Sequence, residues 1–341
     1  MRVLLTGHLG YLGTVMAPVL AAEGHEVVGL DSGLFAGCVL GPAPADPAGH
    51  LVDLRDIGPE QVSGVDAVIH LAALSNDPLG ALAPELTHDI NHRAAVRLAE
   101  LAKDAGVRRF LYASTCSVYG ASGDAGLVDE DAPLRPVTPY AESKVRVEED
   151  VHALADGDFT PVFLRNATAF GFSPRLRADI VLNNLVGHAV LTGEVLVVSD
   201  GTPWRPLVHA RDIAHAFAAA LVAPREAVHA KAFNIGTERN NVTVAQIAEQ
   251  VVEAVPGARL RITGEAGADP RSYRVDFSRF RAAVPGFDCS WSVKDGAVEL
   301  VEAYQRYGLT GDDFAERFTR LAWLRDRMGS HAVDDTLRRR S

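Results

Sequence analysis

The 341-residue chain is poor in cysteine and has no apolar run long enough to cross a bilayer. Its three cysteines, Cys38, Cys116 and Cys289, show neither paired nor metal-ligand spacing. This argues against a disulfide-stapled secreted domain and against a zinc site. No stretch approaches the ~18 unbroken apolar residues of a membrane helix. The apolar start after Arg2 is interrupted by glycines and lacks a separate cleavage region. We therefore expect a cytoplasmic protein with no membrane partner and no metal.

Positive charge is also scarce. Lys and Arg number 33 against 44 Asp and Glu, which gives a formal net charge of −11. This balance argues against a general nucleic-acid partner. It remains compatible with an anionic small ligand, because local amides and a few arginines decide that binding. The basic cluster Arg338 to Arg340 lies at the C-terminal end, where we expect a frayed, solvated tail.

The first half of the chain alternates strand-like and helix-like segments. The short apolar runs "RVLLTG", "HEVVGLDSG", "DAVIHLAA", "RRFLYAST" and "TPVFLRNAT" are typical of buried parallel strands. Between them lie segments with helical spacing, such as "INHRAAVRLAELAKDAG". This alternation predicts the α/β class, with a Rossmann-type doubly wound parallel sheet and a smaller, interleaved C-terminal substrate lobe.

The stretch "LLTGHLGYLG" places Gly7, Gly10 and Gly13 between the first strand and the first helix. On its own, such a stretch could be only a tight turn. In this context the first glycine permits the turn, the second admits a pyrophosphate, and the third allows close helix–sheet packing. The free amides at the helix start then favour a phosphate. The stretch therefore predicts a dinucleotide cradle.

Two acidic residues follow the next strands. Asp31 ends the second strand, 18 residues beyond Gly13, where a carboxylate accepts hydrogen bonds from a ribose. It would repel a 2′-phosphate, so the cofactor predicted is NAD rather than NADP. Asp53, in "DLRD", lies where it can meet adenine, although the segment could also be a plain acidic loop.

After about residue 170 the alternation weakens. "FGFSPRLRADIVLNNL" and the Gly- and Pro-rich segment from Pro256 to Ser272 indicate irregular, ligand-facing structure. "RPLVHARDIAHAFAAAL" and "KAFNIGT" again predict a helix and a strand. We expect an NAD-binding Rossmann domain at 1–170, with 205–238 returning to it. The substrate-binding lobe is expected at 171–204 and 239–330, and a tail at 331–341.

A candidate acid–base pair lies in "PYAESK", where Tyr140 and Lys144 are four residues apart on one helix face. Free tyrosine has a pKa of about 10, so only ~0.1% is phenolate at pH 7. A nearby ammonium and an oxidised nicotinamide favour the anion, and a drop of ~3 units requires roughly 4 kcal/mol. Such a phenolate can take a proton from a substrate alcohol while hydride leaves its carbon. Thr115, at the end of a strand, would hold the same oxygen. The alternative is a pair that only stabilises an exposed helix face.

These motifs together resemble the extended short-chain dehydrogenase/reductase family. The glycines, "HLAA" at 70–73, Asn91, "STCSVYG" and "YAESK" are most similar to its nucleotide-sugar epimerase and dehydratase branch. The resemblance implies Tyr140 as acid/base, Lys144 as its activator and ribose anchor, and Thr115 as the partner of the substrate hydroxyl. It also implies tightly held, regenerated NAD and a homodimer formed through the helices that contain Asn91 and Tyr140.

The resemblance further assigns contact residues. The cofactor set comprises Gly7, Gly10, Tyr11, Leu12, Gly13, Asp31, Asp53, Leu54, Leu71, Ala72, Ala73, Asn91, Tyr140 and Lys144. The substrate set comprises Ser75, Thr115, Cys116, Ser117, Thr168, Asn184, Leu185, Arg205 and Arg271, with Tyr273 as a further candidate. Within it, Asn184 and the two arginines are expected near a nucleotide diphosphate. Each arginine could equally form a surface ion pair.

Two departures from the family pattern bear on the reaction. Thr168 stands where many relatives have an asparagine near the sugar. Cys116 and Ser117 stand where 4,6-dehydratases carry acidic residues, and decarboxylating relatives tend to have glutamate at the latter. Eliminating water requires a further acid and base, for which cysteine and serine are poorly suited. Cys116 itself is expected to be a small buried filler.

The function predicted is an NAD-dependent nucleotide-sugar epimerase that acts through a transient keto-sugar, at C4. Tyr140 suffices as the base for that cycle. The alternatives are a nucleotide-sugar dehydratase or decarboxylase, a one-way oxidoreductase with the same groups, and a non-catalytic NAD(H) sensor. A sensor would be expected to lose the tyrosine or the lysine, and this chain keeps both.

Overall fold

A computed structural model describes residues 1–75, 83–120, 126–264 and 272–340. Its centre is a seven-stranded sheet in the order β11-β7-β5-β4-β1-β2-β3, with every neighbouring pair parallel. The strands of this sheet are β1 (Arg2–Thr6), β2 (Glu26–Asp31), β3 (Gly49–Leu51), β4 (Ala67–His70), β5 (Arg109–Thr115), β7 (Thr160–Asn166) and β11 (Lys231–Ile235). The predicted α/β class and doubly wound parallel sheet are confirmed.

Helices cover both faces of this sheet because its inner strands are apolar on both sides. The described α-helices are α1 (Tyr11–Ala22), α2 (Pro59–Val62), α3 (Pro84–Thr87), α4 (Ala94–Asp104), α5 (Pro139–His152), α6 (Val181–Thr192), α7 (Ala210–Val222), α8 (Arg225–Val228), α9 (Val244–Ala254), α10 (Ser278–Ala283), α11 (Val293–Arg306) and α12 (Arg320–Gly329). On one face α1 and α7 contribute Leu20 and Phe217 to the core. On the other face α4 and α5 contribute Leu98 and Val147.

A smaller lobe has its own core. Helices α6, α9 and α11 pack around Leu182, Ile247 and Leu300. Its short strands are β6 (Leu127–Val128), β8 (Thr168–Phe170), β9 (Glu194–Val197), β10 (Trp204–His209), β12 (Asn241–Thr243), β13 (Arg259–Ile262) and β14 (Arg274–Val275). They form the sheet β12-β10-β8 and the pairs β13-β9 and β14-β6.

The segment 205–238 is shared between the two lobes. Helix α7 packs against α1, and β11 extends the central sheet beside β7. Strand β10 instead pairs with β8 and β12 in the small sheet. The expected irregular structure of "FGFSPRLRADIVLNNL" holds only for its first half, because its apolar end belongs to α6.

The C-terminal segment is not a frayed tail. Residues 331–340 fold back on themselves, with a bridge between Val333 and Arg339. Leu337 is buried in a cluster with Leu74 and Leu324. Arg338, which we expected to be solvated, forms an ion pair with Asp56. This segment and α12 therefore cover the ends of the central strands.

The packing of this segment predicts that Leu337 contributes to stability. Leu337→Ala removes a buried side chain and is expected to lower the free energy of unfolding by about 2 kcal/mol or more. Arg340→Ala is the matched control, because that side chain is exposed and its loss should change stability by less than about 0.5 kcal/mol. Denaturant unfolding of both variants checks this. Equal stabilities would mean that the segment is frayed in solution.

Candidate active site

A cleft of about 760 Å³ opens at the carboxyl ends of the central strands and receives residues from both lobes. Ligands of open α/β sheets bind at this edge. The cleft brings together most of the residues predicted from the sequence: Gly7, Gly10, Tyr11, Leu12, Gly13, Asp31, Asp53, Leu54, Leu71, Ala72, Ala73, Ser75, Thr115, Ser117, Tyr140, Lys144, Thr168, Asn184, Leu185 and Arg205.

The glycine turn leaves no room for side chains. Gly7 has a φ of +75°, and a Cβ there would lie 2.9 Å from the amide nitrogen of Ala72. A Cβ on Gly13 would lie 2.2 Å from the carbonyl oxygen of Gly7. Helix α1 begins after Gly10 without a side-chain cap and without an acidic residue in its first turn. Its first amides are thus available to an anion, and the turn fits a dinucleotide diphosphate.

The two acidic residues at or just after the ends of the second and third strands are held in place by hydrogen bonds. The Asp31 carboxylate accepts from the amides of Gly33 at 2.7 Å and Leu9 at 3.1 Å. Burial raises the pKa of Asp31, and the Gly33 amide offsets part of that rise. Asp53 accepts from the Arg55 side chain. Burial raises the pKa of Asp53, but the Arg55 hydrogen bonds outweigh it and bring the pKa below its usual value. Both groups are hydrogen-bond acceptors facing the cleft.

Helix α5 places the tyrosine and the lysine one turn apart. Thr138 caps the helix by accepting the Ala141 amide, and Pro139 occupies its first turn. These two residues start the helix just before Tyr140. Lys144 Nζ lies 5.7 Å from the centre of the Tyr140 ring and 4.6 Å from that of Tyr112. The pair therefore faces the cleft rather than forming a surface contact.

Lys144 is buried in a mostly apolar setting. Its Nζ donates a hydrogen bond of 2.7 Å to the carbonyl oxygen of Ala113 on β5. Burial lowers the pKa of Lys144 to about 7, and Glu148 one turn further opposes this shift. Burial and the nearby Lys144 also lower the pKa of His70 to about 3. His70 is therefore neutral at pH 7, whereas Lys144 carries its proton in part of the molecules at that pH.

Thr115 and Ser117 lie at the end of β5. The Thr115 hydroxyl oxygen accepts the Ser117 amide at 3.1 Å. Because a hydroxyl can accept and donate at once, the Thr115 hydrogen is left for an oxygen bound in the cleft. This geometry suits a group that orients a substrate alcohol.

A buried ion pair fixes α5 against the sheet. Arg165 on β7 donates three hydrogen bonds of 2.6 to 3.1 Å to the Glu148 carboxylate. Ser114 on β5 donates to the same carboxylate. Removing one member of such a pair leaves a buried charge without a partner. The orientation of Lys144 therefore depends in part on Glu148 and Arg165, which do not line the cleft.

Two predicted contact residues do not line the cleft. Asn91 is buried, and its carboxamide bonds both the amide and the carbonyl of Leu74. It therefore positions the segment that lines the cleft. Cys116 lies in the core, where its thiol donates to the Arg165 carbonyl. Burial raises its pKa well above the usual value. It does not line the cleft, because β5 turns into a short 3₁₀ segment (Cys116–Tyr119) in which the Cys116 side chain is buried.

The remaining substrate candidates differ in their surroundings. Asn184 already donates one amide hydrogen to the Ala178 carbonyl at 3.0 Å. Arg205 donates to the Trp204 carbonyl. Tyr273 lines the cleft beside them. Arg271 lies outside the described residues.

The cleft also contains polar residues that were not assigned from the sequence: Ser32, Ser114, Asn166, Arg177, Asp179, Thr319 and Arg320. Arg177 and Asp179 belong to "PRLRADI". The sequence predicts that this segment faces a ligand, but it assigns no role to either residue. Arg320 starts α12, and nothing in the local pattern indicates that this helix reaches the cleft.

The structure contains neither a metal cluster nor a membrane helix in the parts that it describes. Within residues 1–75, 83–120, 126–264 and 272–340, no three His, Cys, Asp or Glu side chains come together as metal ligands. The helices in those same ranges include none with the length and apolar character needed to cross a bilayer.

Comparison with known proteins agrees with this geometry. Residues 3–236 match the family described as NAD dependent epimerase/dehydratase. A UDP-glucose 4-epimerase of Mycolicibacterium smegmatis is 31% identical over 322 residues, covering 89% of this chain and 99% of the relative. The structure of MoeE5 with UDP-glucose and NAD is 27% identical with a TM-score of 0.77, covering 90% of this chain and 99% of that one. DesIV, a dTDP-glucose 4,6-dehydratase of Streptomyces venezuelae with NAD bound, is 25% identical with a TM-score of 0.77, covering 92% and 100%.

The fold and the site thus define an enzyme of the short-chain dehydrogenase/reductase class. More specifically, the chain belongs to the NAD dependent epimerase/dehydratase family, whose cofactor is NAD. The glycine turn fits this cofactor, since the helix that follows it has neither a side-chain cap nor an acidic residue in its first turn to compete with a diphosphate.

The close packing of the glycine turn gives a first prediction. Gly13→Ala is expected to lower the affinity for NAD by roughly tenfold or more, equivalent to about 1.4 kcal/mol, because the added methyl must displace the start of α1. Gly157→Ala is the control, since nothing lies within 4 Å of a Cβ there. Calorimetric titration with NAD checks this, and equal affinities would contradict the packing role.

The low pKa of Lys144 gives a second prediction. The unfolded chain holds this proton up to about pH 10.5, whereas the folded chain releases it near pH 7. Unfolding therefore takes up a proton in this window, and the lysine's contribution to stability rises by about 1.4 kcal/mol per pH unit. Cofactor-free wild type should gain stability relative to Lys144→Met as the pH rises from 7. The exposed Lys231→Met variant should track wild type. A constant difference between wild type and Lys144→Met would contradict the shift.

Proposed function

We propose that this chain is a nucleotide-sugar 4-epimerase that uses tightly bound, regenerated NAD. The observation that carries this proposal is the convergence of Tyr140, Lys144 and Thr115 on the cleft that contains the glycine turn. A phenol, a buried lysine and a hydroxyl at this place can together handle the proton of a substrate alcohol.

The cofactor is held by the turn and by the carboxylates of Asp31 and Asp53. The amides at the start of α1 receive the diphosphate, Asp31 accepts the ribose hydroxyls, and Asp53 meets the adenine. Lys144 anchors the second ribose. When bound, NAD supplies reversible hydride acceptance from the sugar carbon.

The protein's own groups move the proton. Thr115 donates to the sugar oxygen and fixes it opposite Tyr140. Tyr140 takes the hydroxyl proton as the carbon is oxidised. After the keto sugar has rotated to present its other face, Tyr140 returns the proton as the carbon is reduced again. Lys144, while protonated, stabilises the phenolate through its charge. Because its pKa is about 7, this support falls as the pH rises above neutral in the cofactor-free protein.

Elimination of water would need more groups than the cleft provides near Thr115. The carboxylates among the described lining residues are Asp31, Asp53 and Asp179. The first two are assigned to the cofactor, and the third forms a close ion pair with Arg177. Cys116 is buried in the core. Epimerisation is therefore favoured over dehydration and decarboxylation, both of which need a further acid or base.

The relatives support the same substrate class. The relative from M. smegmatis is named a UDP-glucose 4-epimerase, and MoeE5 was solved with UDP-glucose and with UDP-glucuronic acid. We therefore assign the substrate to the nucleoside-diphosphate hexoses, with the diphosphate near Asn184 and Arg205. A cytoplasmic homodimer stays a prediction.

Tyr140→Phe tests the proposal. The variant should keep its NAD and lose turnover by about 10²- to 10⁴-fold, the usual contribution of a positioned acid–base group. Proton NMR of products from a panel of nucleotide sugars measures the turnover. Tyr307→Phe, whose ring stacks on Phe172 away from the cleft lining, is the control and should behave as wild type.

The products distinguish the alternatives. Conversion to an epimer without net NADH supports the proposal. Stoichiometric NADH would identify a one-way oxidoreductase, and a 4-keto-6-deoxy product would identify a dehydratase. A wild-type protein that holds NAD and converts no sugar of the panel would contradict an enzymatic role with these substrates.

A further inference from the structure

The start of α12 brings an unusual charge into the cleft. Thr319, Arg320 and Leu321 all line it, although they lie beyond the segment that matches the family. Arg320 is 98% buried, with 2% of its surface exposed. Its guanidinium lies 4.7 Å from the centre of the Phe35 ring. A long cationic side chain is seldom buried this deeply without a partner.

The hydrogen bonds of Arg320 are incomplete. Its Nη2 makes a long contact of 3.5 Å with the Arg175 carbonyl. The guanidinium also interacts with the thiol of Cys38. Its buried Nη1, however, has no hydrogen-bond partner among the described residues. A buried donor of a charged group without a partner carries a large free-energy cost. The Nη1 N–H groups of Arg320 can therefore donate hydrogen bonds to a ligand at the wall of the cleft.

A second arginine lies beside it. Arg177 is also buried, and its Nη1 donates to the Ser75 hydroxyl at 3.2 Å and to the Ser75 carbonyl at 3.4 Å. Its Nε and Nη2 bond the Asp179 carboxylate at 2.9 and 3.1 Å. Asp179 is the one carboxylate described beside Arg177 and Arg320. Asp46 is paired with the nearby Arg175 instead. Among the described residues, this part of the wall thus holds two guanidinium groups and one carboxylate.

The helix itself adds to this excess of positive charge. A basic residue in the first turn of a helix opposes the partial positive charge of the helix start. Thr319, at the N-cap position, does not cap the helix, because its hydroxyl donates to the Phe314 carbonyl instead. The first amides of α12 and the Arg320 guanidinium therefore both add positive charge at this wall of the cleft. An anion bound there would satisfy both.

We propose that Arg320, Arg177 and the start of α12 form an oxyanion subsite that binds phosphoryl or carboxylate oxygens of a ligand in the cleft. The proposal rests on the proposed function for the identity of the ligand. Two sources supply such oxygens: the cofactor's diphosphate, and a carboxylate on the hexose, as in a nucleoside-diphosphate hexuronic acid. The fork of a guanidinium matches either group. The substrate's own diphosphate is assigned to Asn184 and Arg205.

The placement accounts for both sources. Phe35, under Arg320, follows Asp31 in the loop that borders the cofactor end of the cleft. Arg177 holds Ser75, which lies in the substrate set, and α12 lies between these two segments. We therefore place the ligand's carboxylate or phosphate between Arg320 and Arg177.

The test compares Arg320→Gln with Arg325→Gln, which removes the same charge from an exposed position on the same helix. Calorimetry measures the affinity of each protein for NAD and, in the NAD-loaded protein, for UDP, UDP-glucose and UDP-glucuronic acid. Arg320→Gln is expected to have one of two effects, each of about 10- to 100-fold. Either it weakens the binding of NAD, or it weakens the binding of UDP-glucuronic acid more than that of UDP-glucose. The first result assigns the cofactor's diphosphate, and the second assigns the sugar carboxylate.

Asp179→Asn provides the opposite change and serves if Arg320→Gln fails to fold. Removing the competing carboxylate should tighten binding of the same ligand. The proposal is overturned if neither NAD nor UDP-glucuronic acid responds more to Arg320→Gln than to Arg325→Gln. It is equally overturned if UDP and UDP-glucuronic acid weaken alike with NAD unchanged, or if Asp179→Asn leaves both ligands unchanged or weaker. If wild type binds NAD but no UDP-sugar, the proposed substrate is wrong, and the NAD arm still tests the subsite.

Discussion

The hydrogen bond from Lys144 Nζ to the Ala113 carbonyl is the contact on which the site depends. It ties helix α5 to the end of β5 and places the lysine one turn from Tyr140. Because the amine is buried, its charge acts at short range through little water. The same burial brings its pKa to about 7, so the lysine can exchange its proton near neutral pH. A surface lysine with the same spacing would do neither.

The rest of the fold keeps this contact in register. Glu148, one turn beyond Lys144, is clamped by Arg165 from β7, so α5 cannot rotate or slide without breaking a buried ion pair. The Ser143 hydroxyl donates a hydrogen bond to the backbone carbonyl of Tyr140 and accepts one from the side-chain amide of Asn91. Asn91 in turn fixes Leu74, at the wall of the cleft. Helix α5 is therefore held by two groups of buried polar contacts, one to the central sheet and one to the segment around Leu74.

The sequence predicts the parts of this arrangement that are local. The glycine turn, the capped start of α5 and the strand ends depend on residues a few positions apart, and their positions in the fold follow from the alternation of strands and helices. The ion pair between Glu148 and Arg165 depends instead on the packing of α5 against β7. The sequence likewise does not show that the Cys116 thiol is buried while Thr115 and Ser117 line the cleft. A short 3₁₀ turn decides which of these side chains face the cleft. Arg320 reaches the cleft only through the packing of the C-terminal segment, for which no local pattern gives a sign.

The account's central claim is that the hydrogen on the reacting carbon stays within the site while Tyr140 handles the hydroxyl proton. A nucleotide hexose carrying deuterium at C4 tests this most directly, with products analysed by NMR and mass spectrometry in ordinary water. The account predicts an epimer that keeps its deuterium at the inverted carbon. Loss of that deuterium to solvent during epimerisation would contradict it.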